Sequence, residues 1–161
     1  MELPLSTQEY IRKVSLFDDH FFATCFDNEP ECLQQILTPC FSCLSQPVIT
    51  VNVVKTQEQI TSITGKPIRL DALGQDKDGN RVNIEIQRVA GGRLRKRARF
   101  YSSLLDDANL KAGDDYEELP DTYVIFITEK DFLGFGEPVY NIDQKIVDNM
   151  KPQSCSGTTS S

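Results

Sequence analysis

Read from its N-terminus, the chain alternates between helical and strand-like spacing of apolar residues. Residues 6–14 predict a short helix, with Ser6 or Thr7 as its cap and Glu9 as the acidic partner in the first turn. Between residues 16 and 26, apolar side chains recur at 17, 21, 22, 25 and 26, the spacing of a helix with one buried face. Asp18 or Asp19 is positioned to cap it. Pro30 follows a chain break and sits near the first turn of another helix, 31–37. Residues 38–47 predict a loop, and the β-branched run 48–54 predicts a strand. A polar connection, 55–67, ends at Gly65 and Pro67. Residues 68–74 and 81–87 then predict two strands flanking a turn rich in Asp and Gly, the chemistry of chain reversal.

Gly91 and Gly92 stop the second strand of this hairpin and allow a change of direction. From 93 to 111 a helix is expected, with Leu94, Ala98, Tyr101, Leu104, Leu105 and Ala108 on one apolar stripe and Gly113 at its end. The continuous apolar run 123–128 predicts a buried strand. Residues 129–142 predict a strand or packed loop, and 143–150 a short helix. The tail, 151–161, is poor in apolar residues and predicts disorder. One domain over 1–150 is therefore expected. Its class is α/β: a mixed central β-sheet, three strands followed by a crossover helix and a fourth strand, flanked by helices.

The hairpin carries the candidate chemistry. Its turn is centred on Asp78, with Asp71 and Glu85 seven residues to either side. A symmetric closure sets the two carboxylates opposite one another, roughly 5 Å apart. Glu85 and Gln87 alternate with Ile86 and so share a face of one strand. Two acids and an amide on one sheet face form an oxygen-rich site suited to a hard divalent cation such as Mg²⁺. The bland alternative, solvated polar positions on a half-exposed strand, stays open on these residues alone.

Charge adds a possible partner. The formal net charge of −7 argues against coating nucleic acid by bulk electrostatics. Yet Arg88, Arg93, Arg95, Lys96, Arg97 and Arg99 concentrate six of seventeen basic residues within twelve positions, which points to a localised phosphate contact. Five cysteines, Cys25, Cys32, Cys40, Cys43 and Cys155, include one Cys-x-x-Cys pair. Cys25 and Cys32 lack the spacing of a second zinc half-site, so buried or free thiols are the expectation. No run reaches the length of a membrane span and no signal-like N-terminus is present, which points to a cytoplasmic protein without a membrane partner.

Leu70-Asp71, Asn83-Ile84-Glu85-Ile86-Gln87 and Lys96-Arg97-Ala98-Arg99-Phe100-Tyr101, in that order, resemble the PD-(D/E)XK nuclease family transposases, also called recombination-promoting nucleases. The likeness extends to residues 17–22, where family members carry an acid in the first core helix, and to 113–127, the approach to the family's fourth strand. It covers about residues 15–140. The resemblance implies a restriction-endonuclease-like core and a metal-dependent DNA endonuclease linked to transposition or recombination. It makes Asp71 and Glu85 the metal-binding acids, with the backbone carbonyl of Ile86 as a third ligand and Asp19 as the helix acid beside them. Gln87 stands at the place of the signature lysine, as is usual in this branch, and would orient the attacking water. Arg95, Arg97, Arg99 and Tyr101 would contact DNA. Mg²⁺ is the expected cofactor, with Mn²⁺ or Ca²⁺ as alternatives, and double-strand cleavage would favour a homodimer. Two other readings stand beside this one: a catalytically silent DNA-binding module on the same fold, and a decayed, truncated transposase remnant.

Overall fold

The computed structural model describes residues 15–61, 65, 67–88, 93–111 and 113–143. The helix expected at 6–14, the Gly91-Gly92 stop, the helix at 143–150 (all but its first residue) and the tail lie outside the described residues.

Helix α1 spans Asp19–Phe26, and Asp18 is its cap: its side chain accepts from the Phe21 N–H at 3.0 Å, satisfying one orphan donor of the first turn. Helix α2 spans Pro30–Cys43 and begins on the expected proline. It does not stop at Leu37, and the loop expected from residue 38 is helical up to Cys43. Pro39 removes one N–H, but the carbonyl it orphans belongs to Gln35, on the exposed side, where water can satisfy it. Meanwhile Phe41, 4% exposed, packs edge-on against Tyr123 with ring centroids 5.2 Å apart, which ties the last turn to the core.

The strands are β1 (Val53–Thr61), β2 (Pro67–Gln75), β3 (Arg81–Gln87) and β4 (Thr122–Thr128). Helix α3 (Leu94–Asp107) joins β3 to β4, and a short 3₁₀ turn, Tyr116–Glu118, precedes β4. The sheet order is β1-β2-β3-β4: the first two pairings are antiparallel and β3 pairs with β4 in parallel. The mixed sheet with a crossover helix is the α/β architecture expected from the element order.

The first strand falls later than the apolar pattern indicated. Residues 48–52 are not in a strand, and most of the segment read as a polar connection is β1. The reason is a hydrogen-bonding partner supplied by α2. The Gln34 carboxamide bridges this stretch, donating to the Ile49 carbonyl at 2.9 Å and accepting from the Val51 N–H at 3.1 Å. Ile49 and Val51 are apolar because they are buried under α2, whereas β1 is polar because it is an edge with one protected side. Strand β4 also departs from expectation: every residue is half-buried rather than fully enclosed, because it lies at the other end of the sheet order.

Two apolar clusters cover the two faces. Phe22, Phe26, Leu33, Leu37 and Phe41 from α1 and α2 meet Val54, Ala72, Val82 and Ile84. On the other side Tyr101, Leu104 and Leu105 of α3 meet Ile68 and Leu70. Helices thus flank both sides of the sheet, and the buried stripe of α3 comprises Leu94, Tyr101, Leu104 and Leu105.

Candidate functional site

The β2–β3 hairpin closes as its turn chemistry dictates. Asp76 accepts through Oδ1 from the N–H groups of Asp78 and Asn80, at 2.8 and 2.9 Å, and through Oδ2 from the Asn80 amide at 2.8 Å. Gly79, at φ 91°, supplies the left-handed residue. The register runs Gln75↔Arg81, Gly74↔Val82, Leu73↔Asn83, Ala72↔Ile84. One more step places Asp71 opposite Glu85.

At that step the ladder ends and side chains take over. Asp71 Oδ2 accepts from the Ile86 N–H at 2.9 Å, and the Asp71 N–H donates to Glu85 Oε1 at 3.4 Å. Ala72 belongs to the α1/α2 cluster but Leu70 to the α3 cluster, although a flat strand would put both on one face. The alternation therefore breaks at Asp71. Across the β1–β2 pairing the matching position is Gln57, which is missing from the ladder and has φ 55°. The register already sets Asp71 on the Glu85 side; the kink turns Leu70, the next residue out, into the α3 cluster.

Glu85 is 3% exposed and both its oxygens are engaged. Oε1 also accepts from the Asn83 amide at 3.1 Å, and Oε2 accepts from the Arg97 guanidinium at 2.9 Å. Burial first, then the charge of Asp71, push its pKa up to about 7; the Asn83 amide, the Asp71 N–H and Arg97 pull the other way without prevailing. Asp71 is also raised, by burial first and further by Asp19, against the opposing Ile86 N–H, Arg69 and Arg97. Two neighbouring carboxylates, both held back from ionisation chiefly by burial, create a local demand for positive charge.

Arg97 meets part of that demand. Its guanidinium donates to Gln87 Oε1 as well as Glu85, and to the Tyr101 hydroxyl at 3.1 Å. It lies over the Tyr101 and Phe126 rings, 5.3 and 5.1 Å from their centroids. Because guanidinium only donates, the atom of Gln87 facing it is the carboxamide oxygen, and the NH₂ is the other end.

These groups border one cavity of about 500 Å³, lined by Asp71, Glu85, Ile86, Gln87 and Arg97 together with Phe17, Asp19, Arg69 and Arg88. Asp19 stands at its exposed rim, 3.9 Å from Arg69. Among the described residues, no three His, Cys, Asp or Glu side chains converge as a metal-holding group. Cys25, Cys32 and Cys40 are half-buried free thiols and Cys43 an exposed one.

Of the residues expected to contact DNA, Arg95 and Arg99 are exposed on α3 and Arg97 turns into the cavity. Tyr101 does not fit a DNA contact: it is 8% exposed, packs near Phe126 and points its hydroxyl at Arg97. Asn83 and Arg69 belong to the site although sequence reasoning gave them no role. Alternation with Glu85 could have found Asn83, since it lies on the same face of β3.

Oxygen donors from Asp71 and Glu85, with the Ile86 backbone alongside, have the hard-ligand chemistry that a divalent cation takes. The donor set fits such an ion, provided that Glu85 Oε2 is shared with or released by Arg97.

The mixed four-stranded sheet flanked by helices is an α/β fold of the restriction-endonuclease-like kind. Residues 16–151 match the family model of the PD-(D/E)XK nuclease family transposases, and the chain belongs to that family. Nucleases of this kind generally use divalent metals. No match was found among curated proteins or among solved structures. No helix among the described residues is long and apolar enough to cross a membrane.

Proposed function

We propose that the protein is a divalent-metal-dependent DNA endonuclease acting in transposition or recombination, with Asp71 and Glu85 as the acids that hold the cation. The observation that carries this reading is the pairing of those two carboxylates across β2 and β3, beside one cavity, where burial raises both and the charge of Asp71 raises Glu85 further. Mg²⁺ is the ion of choice for two carboxylates and a carbonyl, with Mn²⁺ or Ca²⁺ as substitutes in the same donor set. When bound it would offset charge developing on the phosphate and make nearby water more acidic.

The chain's own groups account for the rest. Asp71 is braced by the Ile86 N–H, so its carboxylate is held facing Glu85. Asp19 reaches the site from the rim, through water. Gln87 has no proton to exchange at neutral pH; with its oxygen on Arg97, it meets the attacking water or the phosphate through its NH₂ group. Arg95 and Arg99 grip the DNA backbone from the exposed side of α3, with Arg97 at the cavity end. Cutting both strands of a duplex would call for two copies acting together.

A second reading, a catalytically silent DNA-binding module, draws on one observation: Arg97 already balances Glu85. Plasmid nicking with and without Mg²⁺ separates the two, run beside Asp71→Ala and Glu85→Ala. The nuclease reading expects Mg²⁺-dependent nicking by the wild type and loss of it in both variants, with DNA binding kept. A wild type that binds but never nicks favours the silent module.

A further inference from the structure

Arg97 does more than pack. Each oxygen of Glu85 has a donor: Asn83 and the Asp71 N–H on Oε1, Arg97 on Oε2. A divalent ion placed on Oε2 would lie within a few ångströms of the guanidinium, where like charges repel strongly in a partly dry site. Metal binding and the Arg97–Glu85 contact are therefore alternatives. The remaining holds on Arg97, from Gln87, the Tyr101 hydroxyl and the two aromatic faces, involve neutral groups. A guanidinium resting on ring faces can slide without losing its support. Its side chain is 36% exposed beside the cavity, so an incoming phosphate can reach it, and a phosphate is the partner that guanidinium geometry suits best.

We propose that Arg97 is the resident counter-cation of Glu85, drawn off by a DNA phosphate so that the divalent ion can take its place. Substrate and metal then bind cooperatively through this one side chain. The proposal rests on the metal reading of Asp71 and Glu85. By linkage, whatever DNA does for metal affinity, metal does equally for DNA affinity.

The test uses binding, not turnover. Ca²⁺ is titrated calorimetrically into the full chain at mildly alkaline pH, with and without a short DNA duplex. Arg97→Met keeps an apolar stem on the aromatic platform but removes the charge. It should bind Ca²⁺ without DNA at least about fivefold more tightly than the wild type, the lower end of typical site-to-site coupling. Arg97→Lys should stay near the wild type, and so should Lys96→Met, which removes an exposed charge from the same helix. The duplex should tighten Ca²⁺ binding by the wild type and do so markedly less for Arg97→Met.

If Arg97→Met binds no tighter, or if Lys96→Met tightens as much, the proposal is overturned. Should both Arg97 variants fail to fold, the wild type decides. Its Arg97 guanidinium N–H signals, observed by NMR, must move on Ca²⁺ saturation, and signals that stay in place refute the exchange. Failure of the wild type and Arg97→Met alike to bind Ca²⁺ would sink the metal reading itself. Wild-type binding that is indifferent to Arg97 would sink only this inference.

Discussion

The Ile86 N–H donates to Asp71 Oδ2 at 2.9 Å, just beyond Ala72↔Ile84, the last regular β2–β3 pair. A side chain thus completes a bond that a backbone carbonyl would make in an unbroken ladder. The same contact draws a carboxylate against a second acid, so the end of the pairing and the assembly of the site are one event.

Glu85 makes stability depend on pH. Its pKa in the folded chain, about 7, exceeds the 4.5 of a free carboxyl, so protonation favours the fold. This contribution is complete below about 4.5 and is lost as pH rises through about 7. The loss is on the order of 3 kcal/mol. Thermal melts across that window should show the decline, Glu85→Gln should flatten it, and Mg²⁺ should restore stability on the alkaline side only where Glu85 is present. Asp71→Asn, by removing the second-largest cause of the shift, should move the decline to lower pH.

The exposed arginines of α3 should act through phosphates alone. Arg95→Ala with Arg99→Ala is expected to weaken DNA binding similarly for all sequences. It should also reduce the slope of log affinity against log salt by about 2, one unit for each lost contact. Gel shifts over a salt series measure this, and an unchanged slope would move the DNA contact off this face.

Gly74 is confined by packing rather than by its backbone angle. A Cβ there would lie 2.9 Å from Leu33 and 3.0 Å from both Val51 and Val82. Gly74→Ala should cost about 1–3 kcal/mol, read as a lower urea midpoint, because three core side chains must shift together.

Gln34 serves as a surrogate strand partner for residues 49–51. Gln34→Ala leaves the Ile49 carbonyl and the Val51 N–H without it, at a cost of about 1–3 kcal/mol. Hydrogen exchange should quicken at Val51 more than in β3.

Much of the site was legible because a hairpin is local. Asp76, Gly79 and Asn80 define the turn, and the turn defines the register that sets Asp71 against Glu85. Elements set by distant contacts were less legible. The end of α2 depends on Phe41 meeting Tyr123, and the position of β1 depends on Gln34 occupying the backbone of the apolar run before it. Neither partner is near in sequence. Arg97 is an intermediate case. Its setting among Arg95, Lys96 and Arg99 suggests a solvated charge, yet it lies three residues after Leu94 and four before Tyr101, on the buried stripe. That spacing was a signal that it turns inward.

Strand β3 lies between β2 and β4, paired with β2 as far as Ile84 and with β4 along its whole length, Glu85 included. A residue on an outer loop can drift while the rest of a protein stays intact, but Glu85 has no such freedom. Backbone damage at this position would unzip the middle of the molecule, so a lineage losing its activity could shed it quietly only by exchanging side chains. A silent descendant would still fold, and would reveal itself by what stands at 71, 85 and 97.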